Sequence, residues 1–381
     1  MHFFTIPPPA AAAPAFIIFF GFFILHNNSI FCNATSSNFS CIPSERQALL
    51  NFKHDLDDPA LRLASWVGHD CCNWSGVVCS KLTPHHVHKL LLGDPDLKFY
   101  DTKRLSGEIN PSLVDLKHLR HLDLSVSLIG GARIPEFLGC LRSLRYLNLS
   151  YTIFSGMIPH QLGNLTNLHS LDLHSIYREF NGTYISPYAK NLQWLSQLSS
   201  LRYLDMSWAD LKKASDWLEV TNSLPSLEVL RLSYCNLNFN FRPIYHVNFS
   251  SLSLLDLSGN YLGNNIPLWV SNLRSLTSLY LSGIATGGSI PDGIQNLTFL
   301  VHLDLSDNSL NTSMPSWLYS LSHLEVLNLG SNGFTGPIPE DIQNLTFLVH
   351  VDLSENSFNT SIPSWLYSLS HLEVLYLMLI N

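Results

Sequence analysis

The sequence predicts an α/β solenoid: stacked strand-and-return units that share one parallel, concave β-sheet, with a capped N-terminal end. Three observations predict it. The pattern L-x-x-L-x-L recurs along most of the chain, Ile-Pro pairs follow it at a fixed offset, and four cysteines cluster ahead of the first copies.

The repeat comes first, because a fixed period of 20–50 residues decides the whole architecture. L-x-x-L-x-L starts fall at Leu119, Leu144, Leu168, Leu201, Leu227, Leu252, Leu276, Leu300, Leu324, Leu348 and Leu372. The spacing settles to a constant 24 residues toward the C-terminus, and a degenerate copy, "VHKLLLGD", stands at 87–94. In the clearest unit, "LEVLNLGSNGFTGPIPEDIQNLTF" (324–347), Leu327 and Leu329 alternate as in a half-buried strand. Asn332 falls at the turn, where a buried amide satisfies backbone groups of adjoining turns at about 1 kcal/mol net per bond. Gly336 allows the bend, Pro339 fixes the return leg, and Ile338 and Ile342 fill the core from that side. One unit cannot bury its own leucines, whereas stacked units can.

The pattern weakens in the middle. The units from Leu168, Leu201 and Leu227 lack Ile-Pro, and the Leu168 unit carries the extra segment "HSIYREFNGTYISPYAKNLQWLSQLSS". The turn column reads Ser127, Thr152, Ile176, Ala209, Cys235, Asn260, Ile284, Asn308, Asn332, Asn356. A less regular stack is expected over 168–250.

Upstream, "CIPSERQALLNFKHDLDDPALRLASWVGHDCCNWSGVVC" (41–79) reads as an end cover. Ser44 and Gln47 suggest a capping box before Leu49, Phe52 and Leu56 at helical spacing, and Asp57–Asp58–Pro59 would end that helix. Four cysteines, Cys41, Cys71, Cys72 and Cys79, allow three pairings. Their spacing differs from paired C-x-x-C zinc clusters, so disulfides are expected and no metal. Cys140 and Cys235 are left over and read as inert buried thiols.

The repeat unit resembles the plant-specific leucine-rich repeat, L-x-x-L-x-L-S-x-N-x-L-x-G-x-I-P-x-x-L, from about residue 87 onward. Together, "ERQALLNFKHDL", "SW…DCCNWSGVVC", "RLSGEINPSLVDLKHLRHLDLS" and "IPEFLGCLRSLRYLNLS" resemble the ectodomain start of plant leucine-rich-repeat receptor-like proteins. The resemblance is greatest to the group that perceives fungal ethylene-inducing xylanase. It implies a plant-type superhelix, pairs Cys41–Cys71 and Cys72–Cys79, and cell-surface perception of a proteinaceous or peptide elicitor in innate immunity. It also implies co-receptor kinases as partners of a full-length form. Such proteins continue through more repeats, a C-terminal cysteine cap and one transmembrane helix. Two other readings follow: a secreted inhibitor of microbial polygalacturonases, and a truncated, non-functional fragment.

Composition sets the outer bounds. With 46% hydrophobic and 13% charged residues the 381-residue chain builds a large core rather than disorder. A net charge of −8 without a basic block excludes nucleic acid as an expected partner. Residues 1–34 read as a signal peptide whose apolar run is Ala15–Leu25, 35–80 as the cap, and 81–381 as about 11–12 repeats, the last incomplete. No membrane span is expected beyond that first segment. Sequons at Asn38, Asn73, Asn148, Asn164, Asn181, Asn248, Asn296, Asn311, Asn344 and Asn359 point to a glycosylated protein of the secretory pathway, bound for the cell surface or the apoplast.

No catalytic motif stands out, and neither an enzyme nor a cofactor is expected. "PHHVHK" (84–89) reads as a solvated loop. Asp123, Asp172, Asp205, Asp256, Asp304 and Asp352 recur once per unit and read as structural. The variable columns offer Tyr146, Tyr151, Tyr203, Trp208, Arg231 and Tyr234 beside the irregular units. Tyr, Trp and Arg are the residue types enriched at interface hot spots, so a ligand patch is expected there.

The ending is unusual. Residues 294–327 and 342–375 match at 30 of 34 positions, after which "YLMLIN" leaves the template with Leu377, Leu379 and Ile380. An exposed apolar edge strand that favours self-association is expected.

Overall fold

The computed structural model describes residues 41–377, apart from 83–84, 94–102, 131–132, 177–178, 181–182, 185, 238–243, 245, 360–363 and 365–367. The signal segment, Asn38, Asn181, Leu379 and Ile380 lie outside the described residues.

One sheet of 13 strands carries the fold. Its strands are β1 (Val77–Cys79), β2 (Val87–Leu91), β3 (His121–Asp123), β4 (Tyr146–Asn148), β5 (Ser170–Asp172), β6 (Tyr203–Asp205), β7 (Val229–Arg231), β8 (Leu254–Asp256), β9 (Ser278–Tyr280), β10 (His302–Asp304), β11 (Val326–Asn328), β12 (His350–Asp352) and β13 (Val374–Tyr376). β1 runs antiparallel to β2, and every later pairing is parallel. The central leucines align rung by rung: Leu122 with Leu147, Leu147 with Leu171, Leu171 with Leu204, Leu204 with Leu230. All are fully buried.

The return legs are short 3-10 helices. Where Ile-Pro occurs among the described residues, the Ile is buried and the Pro sits just before the helix with φ between −61° and −73°, the value its ring imposes. The turn column is a hydrogen-bonded ladder. Asn356 Nδ2 reaches Leu329 O at 2.9 Å and Ser354 O at 3.0 Å, while its Oδ1 accepts from Phe334 N at 3.0 Å. Each Asn thus ties its own turn to the preceding one, and Asn260, Asn308 and Asn332 repeat the arrangement.

The expected irregularity over 168–250 falls on the return side, while the sheet passes through in register. There the chain adds a hairpin (Glu179–Phe180 with Thr183–Tyr184) and a short strand, Pro187–Tyr188, beside Gly156–Met157. A helix, α2 (Trp217–Asn222), stands where regular units have a 3-10 turn. Arg104 is an element the sequence reading missed. Only 2% exposed, it donates to Val126 O (3.0 Å), Ser127 O (3.2 Å) and Tyr151 O (2.6 Å), covering carbonyls where the turn column carries Ser127 and Thr152 rather than Asn.

The cap contains both disulfides, Cys41–Cys71 and Cys72–Cys79. Trp66 and Trp74 stack with centroids 5.4 Å apart, and each indole N–H donates to a backbone carbonyl. Three expectations need correction. The first helix, α1, spans Pro43–His54 with Pro at its start and no side-chain cap, so Ser44 and Gln47 lie inside it and form no capping box. Leu56 belongs to a short strand (Leu56–Asp57), not to the helix. The histidine segment is not a free loop: His86 meets the buried Glu45 at 2.8 Å and packs on His118 at 3.7 Å, and His88 lies in β2. Glu45 also accepts from Val87 N, so the cap is fastened to the first strand by one buried carboxylate.

Cys235 is buried as expected, with Sγ 3.1 Å from Met206 O in the turn column, but Cys140 is exposed. It lies at the end of the 3-10 helix Glu136–Cys140, which faces solvent there. At the far edge, Leu372, Leu375 and Leu377 are only half-buried, while Leu348, Val351 and Leu353 one rung back are fully buried. No helix among the described residues is long and apolar enough to cross a membrane.

Candidate ligand-binding site

Strand residues between the buried leucines point out of the concave face, because successive side chains alternate across a strand. This places Tyr146, Tyr203 and Arg231 on β4, β6 and β7. Tyr151, Trp208 and Tyr234 stand one step further, at the turn that leaves each strand, with left-handed φ of 54°, 65° and 53°. Bulky residues there are held against their backbone preference by the stacked ladder.

The six residues form two groups. At the turns, Trp208 and Tyr234 stack with centroids 4.4 Å apart and planes within 8°. Tyr151 stacks on His174 at 4.6 Å. The Tyr234 ring lies over Gly259, whose φ is +67° and where a Cβ would come within 2.4 Å of the ring. Past that glycine a cleft of ≈ 590 Å³ opens, lined by Asp210, Lys212, Asn236 and Tyr261 among others.

The second group is polar and surrounds two carboxylates. Asp172 and Asp205 are register partners on adjacent strands. Each Oδ1 accepts the N–H two residues on, from His174 (3.0 Å) and Ser207 (2.9 Å). The same bond recurs at Asp123, Asp256, Asp304 and Asp352, which accounts for the Asp column as structure. Electrostatics couples this pair, while at Asp256 burial alone is the main cause of an upward shift. Burial, then the neighbouring Asp205, pushes the Asp172 carboxyl up to about 7. Burial also acts on Asp205, but the His174 ring, whose Nδ1 lies 3.7 Å away, and the hydrogen bond from the Ser207 N–H outweigh it and hold that carboxyl below its ordinary value. Tyr203, whose hydroxyl lies 3.4 Å from Asp205, is pushed up by burial and by both carboxylates. Burial first, then Asp123, pushes Tyr146 up to about 12. Arg231 lies 3.9 Å from Asp256.

The sequence reading thus found the aromatic residues but passed over His174 and the special character of Asp172 and Asp205. The only signal was that two Asp rungs adjoin across the longest insertion. Asn148 sits within the same rows, its Nδ2 donating to Tyr146 Oη at 3.1 Å and its Oδ1 accepting from Ser150 N at 2.9 Å. The other described sequon residues, Asn73, Asn164, Asn248, Asn296, Asn311, Asn344 and Asn359, are exposed. Among the described residues, the three sulfurs close enough to share a metal, on Cys41, Cys71 and Cys72, are all in disulfides.

Family models agree with this geometry. The leucine rich repeat N-terminal domain matches residues 42–80, and the leucine rich repeat matches 143–165, 251–273, 299–321, 323–345 and 347–369. The chain carries a leucine rich repeat N-terminal domain and leucine rich repeats. Among curated proteins it is similar to receptor-like proteins EIX1 and EIX2 of Solanum lycopersicum, at 38% identity over 206 residues and 34% over 248. These matches cover 52% and 59% of this chain, and 19% and 24% of the relatives, so the leucine-rich-repeat chain aligns with about a fifth to a quarter of their length. Among solved structures it resembles the Arabidopsis thaliana receptor kinase GASSHO1/SCHENGEN3 ectodomain, in complex with Casparian strip integrity factor 2 (TM-score 0.63, 25% identity, 87% of this chain and 44% of that one). It also resembles the Arabidopsis receptor kinase HAESA, in complex with the peptide hormone IDA and the co-receptor SERK1 (TM-score 0.60, 25% identity, 89% of this chain and 50% of that one).

Proposed function

We propose that this chain is the ligand-recognition part of a plant cell-surface receptor-like protein, that it binds a peptide or protein elicitor in pathogen perception, and that it acts by binding rather than catalysis. One observation carries the proposal. Aromatic and charged side chains gather on five adjacent rungs, β4 to β8, and leave the later rungs mostly to Ser, Gly, Asp and His. Stacked rings at the turns give preformed area at little entropic cost, and the carboxylates and Arg231 give directional polar contacts. Of the solved ectodomains it resembles, HAESA holds the peptide hormone IDA and GASSHO1/SCHENGEN3 holds Casparian strip integrity factor 2, which supports a peptide or protein ligand here. A full-length form would reach the surface by the secretory route with a glycosylated ectodomain and signal through co-receptor kinases.

The test uses a fungal ethylene-inducing xylanase as the probe. Trp208→Ala and Arg231→Ala are each expected to weaken its binding about tenfold or more, the effect of an interface hot spot. Leu268→Ala, at a residue 78% exposed and off the concave face, serves as the control and leaves binding unchanged. Unchanged affinity in both concave-face variants removes the patch, and no binding by the parent chain removes this elicitor.

A further inference from the structure

The duplicated block builds a second surface, away from the concave rows. Phe299, His323, Phe347 and His371 each immediately precede the first leucine of a unit, so they occupy one position on four successive rungs. All four are exposed, Phe299 to 60% and Phe347 to 54%. Each Phe ring has its centroid 6.4 Å from the next histidine ring. In the seven preceding units the same position holds His118, Ser143, Asn167, Ser200, Ser226, Ser251 and Ser275, so the alternating row is confined to the last four rungs.

The histidines have a fixed polarity. His323 Nδ1 lies 3.1 Å from Thr298 O, and His371 Nδ1 lies 3.1 Å from Thr346 O. A carbonyl oxygen only accepts, so in the neutral ring Nδ1 carries the proton and Nε2 is left as an acceptor. The row therefore reads apolar face, acceptor, apolar face, acceptor.

Strands in this sheet are spaced about 4.8 Å apart, so like residues recur about every 10 Å. An extended β-1,4-linked glycan turns each sugar over relative to the last, so its chemistry repeats every second sugar, at close to two rungs. One sugar then stands on each rung. Its C–H face covers a phenylalanine, and the next sugar's hydroxyl or acetamido N–H donates to a histidine Nε2. We propose that this row is a binding site for an extended β-1,4-linked glycan chain, separate from the concave-face site.

Sequons Asn296 and Asn344 lie three residues before Phe299 and Phe347, so the test uses the full chain carrying Asn296→Gln and Asn344→Gln, which removes any glycan of the chain itself from the row. Cellohexaose, chitohexaose, the disaccharides of each, and the β-1,3-linked laminarihexaose are titrated by calorimetry. The expected result is that one β-1,4 hexasaccharide binds about tenfold or more tighter than both its disaccharide and laminarihexaose. Phe347→Ser in the same background is expected to remove about tenfold of that affinity or more, with an unchanged thermal unfolding curve, because the ring is exposed. His323→Phe keeps ring area and loses the acceptor, and is expected to weaken whichever β-1,4 hexasaccharide binds. No binding of either β-1,4 hexasaccharide, equal affinity for hexamer and dimer, equal affinity for the β-1,3 chain, or indifference to Phe347→Ser each overturns the proposal.

Discussion

Asn260→Ala tests how the stack is held beside the candidate site. The Asn260 amide donates to Leu232 O and Leu257 O, both at 2.8 Å, and to Ser258 O at 3.2 Å. Its Oδ1 accepts from Cys235 N at 3.0 Å and Leu237 N at 2.9 Å. The residue is 3% exposed. Alanine therefore strands two amide N–H groups and two carbonyls in the interior. At about 1 kcal/mol each, the low end for buried unsatisfied groups, the loss is about 4 kcal/mol. Against a typical total of 5–15 kcal/mol that is a large fraction. Thr152 supplies the contrast at the same ladder position: its hydroxyl makes one bond within its own turn, to Leu149 O at 2.7 Å, and Thr152→Ala should cost about 1 kcal/mol. Urea unfolding followed by tryptophan fluorescence measures both, and hydrogen exchange at Cys235 and Leu237 checks that the lost protection is local. If Asn260→Ala costs no more than Thr152→Ala, or if those two amides stay protected, the ladder does not hold this turn in the way described.

Two further outcomes follow. Asp172 binds its proton up to about pH 7 when folded but only to about its ordinary 3.8 when unfolded. Between those values the folded chain carries the extra proton, so this residue makes stability fall as pH rises from about 4 to 7, by up to about 4 kcal/mol. Asp172→Asn is expected to flatten that slope in urea midpoints measured across the range, and an unchanged slope would refute the assignment. Arg104→Met strands the carbonyls of Val126, Ser127 and Tyr151 and should cost about 3 kcal/mol. Because one of those carbonyls belongs to Tyr151, the near-ultraviolet dichroism of the Tyr151–His174 stack should change as well; a variant as stable as the parent would show that water replaces the guanidinium.

The fold was legible because each unit repeats one solution to one problem. Leu122, Leu147 and Leu171 are equivalent in sequence and in the core, and the spacing alone places them on successive rungs. Departures were harder to place. Over 168–250 the weakened repeat pattern suggested a disturbed stack, yet the inward leucines Leu171, Leu204 and Leu230 keep the sheet in register and the extra residues leave on the return side. Sheet pairing is fixed by the period-two pattern, which survived, and the return legs are fixed by Ile-Pro, which did not. The start of α1 was misplaced for a related reason. Ser44 and Gln47 fit a capping box, but Pro43 already satisfies the first position and needs no amide partner.

The concave site was legible by residue type and hidden in its chemistry. Tyr146, Tyr203 and Arg231 are variable positions on strands, and the period-two rule puts them in solvent. Tyr151, Trp208 and Tyr234 were found by type, but their stacking depends on a left-handed turn that no local signal marks, since that position holds Gly in some units and Asp or Ser in others. Asp172 and Asp205 were hidden by the opposite effect. As members of a column they look structural, and one oxygen of each is, bound to the backbone two residues on. What makes them unlike Asp304 or Asp352 is that both are carboxylates on adjoining rungs under Tyr203, whereas elsewhere Asn148, Arg231, Tyr280 or Asn328 separates one Asp from the next. A column read one unit at a time reports the bond each unit makes to itself. The charge coupling exists only between units, and it becomes visible once the insertion at 177–200 is seen to leave the two strands neighbours.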